Sequence, residues 1–334
     1  MKTFGRYLTY RLKQSCLRTL IFTILSVLLT QAVILDELSQ NYKQSGLYIV
    51  AVILGILCTI IPILETAEYK NRRNLDVLYS FSISRGKLAV LHFLSGWIQI
   101  IVSYTVTYLC ACYTLLTHQT HFSLIYLLPY YFFSLGIGLI TYSVFLFLFG
   151  EANTEGDGVL FCFLSIFALA LVFLAIDTQI RIFTDRVKSL PFDSFWGCIY
   201  EPIDSLTVVF QYWIHASESA SRGVIQIQKE SYMFAFWALI GIAAAIGYFY
   251  TFTHKRAEKI GDISTSWFGY KMLIPTYYFS LLLSGFLGTE FILIFVLFIL
   301  MLSGYFIYRR SFKLRKSDII VLACAFLLGV GSSF

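Results

Sequence analysis

Apolar residues fill this chain in long blocks, broken by short polar stretches. A helix rises 1.5 Å per residue, so about 20 apolar residues cross the ~30 Å hydrocarbon core of a bilayer. Blocks of that kind predict membrane spans near 20–35, 46–64, 88–116, 122–149, 159–176, 232–252, 272–287, 291–308 and 319–334. The third and fourth are long enough to tilt or to project beyond the membrane. Pro275, Gly285 and Gly288 weaken the hairpin over 272–308. The last block is still apolar at Phe334, so either the final span is short or the chain continues.

Composition agrees with this pattern. The chain is 58% hydrophobic and 13% charged, with mean hydropathy +0.75; soluble domains carry about 25% charged residues. The expected fold class is an all-α polytopic membrane protein. Net charge is +6, but Lys and Arg lie between the spans and not along one exposed face, so no nucleic-acid partner is expected. Most cysteines fall in or beside apolar blocks, and only Cys198 lies in the long polar loop, which excludes a disulfide framework there.

The positions of Lys and Arg predict orientation. One side collects Arg6, Arg11, Lys13 and Arg18, then Lys70, Arg72, Arg73, Arg85 and Lys87, then the groups near 255–271 and 309–316. The other side has Lys43, Arg181, Arg186, Lys188, Arg222 and Lys229. The N-terminus is therefore expected in the cytoplasm, with the basic start retained as part of the first span and not cleaved as a leader.

The longest charged break in the first half is 65–88, ETAEYKNRRNLDVLYSFSISRGKL. As a helix it places Glu68, Arg72 and Asp76 one turn apart, with Leu75, Leu78 and Tyr79 as an apolar stripe. It then turns at Ser84, Arg85 and Gly86 to re-enter the membrane. Taken alone, it is either a solvated loop held by its own ion pairs or a surface helix that meets a soluble partner. The acidic end of a span, the charged helix and the run Ile83-Ser84-Arg85-Gly86-Lys87-Leu88 resemble the segment after the second span of ABC-2-type permeases, although Ser82 stands where that family usually has Pro. The resemblance implies a coupling helix that docks on an ATPase, with Glu65, Glu68, Arg72, Arg73, Leu75, Asp76, Leu78, Tyr79 and Arg85 as its contacts.

The only large outer segment is the loop 177–231. Phe195, Trp196, Tyr200, Phe210 and Trp213 make it too aromatic for a disordered stretch. It reads either as short helices at or in the outer membrane surface, or as a loop whose aromatics sit at headgroup level. ABC-2-type permeases have a comparable re-entrant element, which makes these five residues a candidate outer gate. After the sixth span, Arg256, Glu258, Lys259 and Gly261 resemble the tail found in a Gram-positive branch of these permeases that includes antibiotic-peptide transporters. The implied organisation is a six-span permease core over 1–271, followed by two to three additional spans over 272–334.

Other chemistry is sparse. No zincin, hydrolase or structural-zinc motif occurs. His118 and His121 share a short turn and read as solvated. Glu65 and Glu68 raise the idea of a membrane carboxylate site, but no His or Asn is expected to match them from an adjacent span. Span interiors are expected to carry almost no ionisable groups, unlike those of ion-driven carriers. With no G-x-x-x-x-G-K-[ST] loop in the chain, ATP is expected on a partner and no cofactor here. The expected protein is a non-enzymatic permease subunit in a bacterial plasma membrane. It would pair with ABC ATPase subunits and a second identical or related permease, and export peptides, antibiotics or other amphipathic molecules. A stand-alone membrane enzyme or sensor using the outer aromatic loop is the alternative, and a secondary carrier is a weaker one.

Overall fold

The computed structural model describes residues 2–39, 48–70, 83–118, 127–184, 220–255, 261–262, 264, 266–283, 291–309, 313 and 315–332. Among them no strand occurs, and six helices are long and apolar enough to cross a membrane. This is the architecture of a multi-pass membrane protein. The chain divides into two compact units, 1–150 with 201–260 and 151–200 with 261–334.

The first unit contains α1 (Lys2–Ser39), α2 (Tyr48–Thr66), α3 (Arg85–His118), α4 (Leu127–Glu151, up to residue 150) and α6 (Ala220–His254). At 1.5 Å per residue, α1 is about 57 Å long and α3 about 51 Å, well beyond a bilayer core. α1 starts at Lys2, so Arg6, Arg11, Lys13 and Arg18 stand on the helix itself and not on a flank before it. α2 contains Pro62 and passes after Thr66 into a 3₁₀ turn, Ala67–Lys70. α3 opens at Arg85, with the Leu88 amide donating to the Ser84 carbonyl at 3.0 Å.

α3 is the axis of this unit and packs on α1, α2 and α6. Its buried face carries Ser95, Gly96, Gln99, Ser103 and Thr107, small or polar residues at helical spacing. Such residues let membrane helices approach closely and hydrogen-bond across the contact. Thr23 Oγ1 on α1 donates to Ser103 Oγ at 3.0 Å, and Thr114 Oγ1 donates to Gln31 Oε1 at 2.7 Å. The outward side of α1 is apolar, with Leu17, Ile21, Ile24 and Leu28 exposed. Polar inside and apolar outside suits a helix whose solvent is lipid. On its other side α3 meets α4 through tyrosines: Tyr104 bonds Ser134, Tyr131 bonds Thr105, and Tyr108 donates to the Leu127 carbonyl.

The second unit contains α5 (Glu155–Thr184), a π-helical turn (Trp267–Lys271), α7 (Met272–Leu283), α8 (Phe291–Arg309) and α9 (Lys316–Ser332). Thr154 caps α5, its hydroxyl accepting from the Asp157 amide at 3.1 Å; Glu155 and Asp157 in the first turn suit the positive end of the helix dipole. α5 packs on α7, and Tyr277 Oη donates to the Leu164 carbonyl at 2.7 Å. Gly269 packs against the Phe161 ring, where a Cβ would fall 2.5 Å from Cζ. Gly261, at φ 87°, adopts the left-handed conformation that glycine tolerates, and its amide donates to the Asn153 carbonyl. The grouping of α5 with the helices after Gly261 is not legible in the sequence. With 12 residues, α7 extends about 18 Å and is shorter than a bilayer core.

Candidate functional site

The feature that stands out is a buried ionic cluster where the N-terminal parts of α1 and α3 meet the C-terminal end of α2. Glu65 supplies its centre, with a side chain 1% exposed. Arg11 Nη2 donates to Glu65 Oε2 at 3.4 Å, and Arg18 Nη2 pairs with Oε1. Gln99 Nε2 donates to the same Oε1 at 2.6 Å, while Gln99 Oε1 accepts from Arg18 Nη2 at 2.9 Å. Arg11 Nη1 also pairs with Glu68 Oε2 at 2.5 Å, and Glu68 is partly open to solvent. His92 is fully buried behind Glu65, its Nδ1 3.8 Å from Oε2, and its Nε2 meets the Tyr69 hydroxyl. Two arginines thus face two glutamates, a balance that burial demands because an unmatched charge in a low-dielectric interior is costly.

Helical spacing builds the cluster. Arg11, Ser15 and Arg18 follow at four and three residues and share the α3-facing side of α1. His92, Ser95 and Gln99 do the same on α3. Gly96 leaves room between them: a Cβ there would overlap Tyr142 Oη and fall 3.3 Å from Glu65 Cγ. Tyr142 Oη donates to the Phe93 carbonyl at 3.0 Å, closing the apolar side.

The same end of this unit holds a set of cations on helix C-termini. Lys70 Nζ donates to the Phe149 carbonyl and sits 3.9 Å from the centre of the Phe149 ring. Lys255 Nζ donates to the Gly150 carbonyl at 2.8 Å, and Arg85 Nη1 donates to the Lys255 carbonyl at 3.2 Å. Cations are favoured there by the helix dipole and by the unpaired last carbonyls. Tyr69 and Leu88 form a small apolar plug with Tyr7 and Phe252. Residues 66–70 and 85–88 are therefore anchored to α1, α3, α4 and α6.

Of the expected ATPase-coupling residues, Glu65 is buried and acts within the chain, Glu68 is partly exposed, and Arg85 is exposed. Arg72, Arg73, Leu75, Asp76, Leu78 and Tyr79 lie outside the described residues, as do Phe195, Trp196, Tyr200, Phe210 and Trp213 of the outer loop. One expectation is corrected: a histidine on an adjacent helix does match Glu65, namely His92. Arg11, Arg18, Glu65 and His92 all stand on long helices. The legible sign was the polar stripe His92, Ser95, Gln99, Ser103 and Thr107 in an otherwise apolar block. Among the described residues no group of three or more metal-ligating side chains gathers. Compared with known proteins, the chain matches no family model and no curated sequence.

Proposed function

We propose that the chain is the membrane-spanning subunit of an ATP-driven ABC-2-type transporter, with a six-span core and additional C-terminal spans. In this reading it lies in a bacterial plasma membrane with its N-terminus in the cytoplasm, where Lys and Arg are concentrated. It pairs with a second permease and with ATPase subunits that supply the nucleotide chemistry, and it exports peptides, antibiotics or other amphipathic molecules.

The observation that carries the reading is the anchoring of both flanks of the charged segment 71–82. On one side Glu68 holds Arg11 of α1, and Lys70 holds the end of α4. On the other, Arg85 holds the end of α6, and α3 begins at once. A soft hinge at either flank would absorb a push delivered by a partner. Flanks tied to four helices pass it on, which a segment coupling ATP-driven closure to a rocking bundle requires. The segment itself carries Arg72, Arg73 and Asp76 for polar contact and Leu75, Leu78 and Tyr79 for apolar contact.

Purification from a host that also makes the candidate ATPase is the test. A stable complex is expected, and reversing charge in the double variant Arg72→Glu, Arg73→Glu is expected to uncouple ATP hydrolysis from transport without impairing membrane insertion. Transport unchanged in that variant would remove the docking assignment. The purified chain moving or converting a solute with no nucleotide-hydrolysing partner would overturn the whole reading.

A further inference from the structure

The cations of α1 fall into two sets. Arg11 and Arg18 face inward and are matched by Glu65, Glu68 and Gln99. Arg6 and Lys13 are exposed, and among the described residues neither makes an ion pair. No acidic residue precedes Asp36 on α1, so the helix itself offers them no counter-charge.

Arg6, Tyr10, Lys13 and Leu17 recur at helical spacing and share one face of α1. Tyr10 is 63% exposed and Leu17 70%, and Ile21, Ile24 and Leu28 continue the same face, all exposed. The face is therefore cationic near its start, carries one amphipathic ring, and is apolar from Leu17 to Leu28. Arg6 and Lys13 stand about 10 Å apart along the axis. The Cα–Cβ bond of Lys13 tilts toward the helix N-terminus, which lets its ammonium snorkel toward the level of Arg6.

Parallel packing adds a third charge at that level. Arg11 meets His92 and Arg18 meets Gln99, each 81 residues further along the chain. The same offset sets Lys87 of α3 level with Arg6. Lys87 is exposed and also makes no ion pair among the described residues.

A partner that fits this face is anionic at one end and apolar beyond it. A second copy of the chain, related by a two-fold axis along the membrane normal, would set Arg6 and Lys13 against their own equivalents, like charge on like charge. An anionic phospholipid matches both parts, with its headgroup at the cations and its acyl chains along Leu17, Ile21, Ile24 and Leu28.

We propose that this face of α1 is a binding site for an anionic phospholipid in the leaflet around the N-terminal end of the helix. Arg6 and Lys13 hold the headgroup, Tyr10 lies between them, and Lys87 adds to the local positive potential. The site needs only the membrane-spanning architecture and does not depend on the transport reading.

The test places a photoreactive benzoylphenylalanine at position 10 of the whole chain, in vesicles of equal parts phosphatidylglycerol and phosphatidylcholine. Mass spectrometry after illumination identifies what is joined to that position. Adducts with phosphatidylglycerol are expected to exceed those with phosphatidylcholine about fivefold, falling to near parity when Arg6→Gln and Lys13→Gln are added. Both residues are exposed, so this variant is expected to fold. The control Arg315→Gln, Lys316→Gln removes the same charge from exposed positions of the second unit and is expected to keep the excess. Parity without the Arg6 and Lys13 changes would overturn the proposal, as would an excess that survives them or is lost equally in the control. Adducts mainly with a second copy of the chain, or none with lipid, would overturn it as well.

Discussion

Glu65 and Glu151 look alike in the sequence, since each follows a long apolar block at the end of its helix and precedes a short polar turn. Their surroundings differ. Glu65 is buried and held by two arginines, a glutamine and a neighbouring histidine drawn from two other helices. Glu151 is half-buried; its carboxylate accepts from the Ser266 hydroxyl and its carbonyl accepts from Ser264 Oγ. The lesson concerns what faces a carboxylate and not where it stands in the chain. A carboxylate met by cations in a dry interior cannot be lost without orphaning those cations, whereas one met by hydroxyl groups near solvent is replaceable.

The largest effect is expected from Glu65→Ala, which leaves Arg11 and Arg18 without their shared counter-charge. Breaking a buried pair in this way costs about 3–5 kcal/mol, read as a large fall in the unfolding midpoint in nanodiscs; a shift no larger than that of Glu151→Gln would erase the contrast. Next is Gly96→Ala, whose Cβ must displace Tyr142 and crowd Glu65 from the apolar side. Overpacking of this kind costs about 1–3 kcal/mol, and an unchanged midpoint would mean that Tyr142 is not fixed by its bond to the Phe93 carbonyl. Glu151→Gln keeps an acceptor for Ser266 and is expected to cost about 1 kcal/mol or less. Lys13→Ala, on the exposed side of α1 beside the cluster, is expected within about 0.5 kcal/mol of the unaltered chain. A larger effect at Lys13 would show that charge anywhere on α1 matters, and not the buried geometry.

Much of the fold could be read from hydropathy, because lipid imposes long apolar helices whatever their neighbours. Among the described residues, each of the six helices long and apolar enough to cross a membrane overlaps a predicted block. The cluster was harder to read for two physical reasons. Averaging over a block dilutes a single His or Gln, so α3 reads as apolar although its buried stripe is polar. The partners also come from far apart in the chain: Glu65 is 54 residues from Arg11, 47 from Arg18 and 34 from Gln99. Only the rotation and depth of three separate helices bring them together, and no local spacing encodes that. Arg11 and Arg18 counted as flanking charges because the apolar block begins at Leu20, whereas the helix begins a full five turns earlier, at Lys2.

The central claim is that Glu65 is an internal tie between α1, α2 and α3. A double-mutant cycle on Arg18→Met and Glu65→Gln, followed by unfolding in nanodiscs, tests it most directly. The account predicts that each single variant is destabilised and that the double variant loses less than the sum, with a coupling of about 1–3 kcal/mol. Losses that add within about 0.5 kcal/mol would show that the two side chains do not act on each other and would contradict the account.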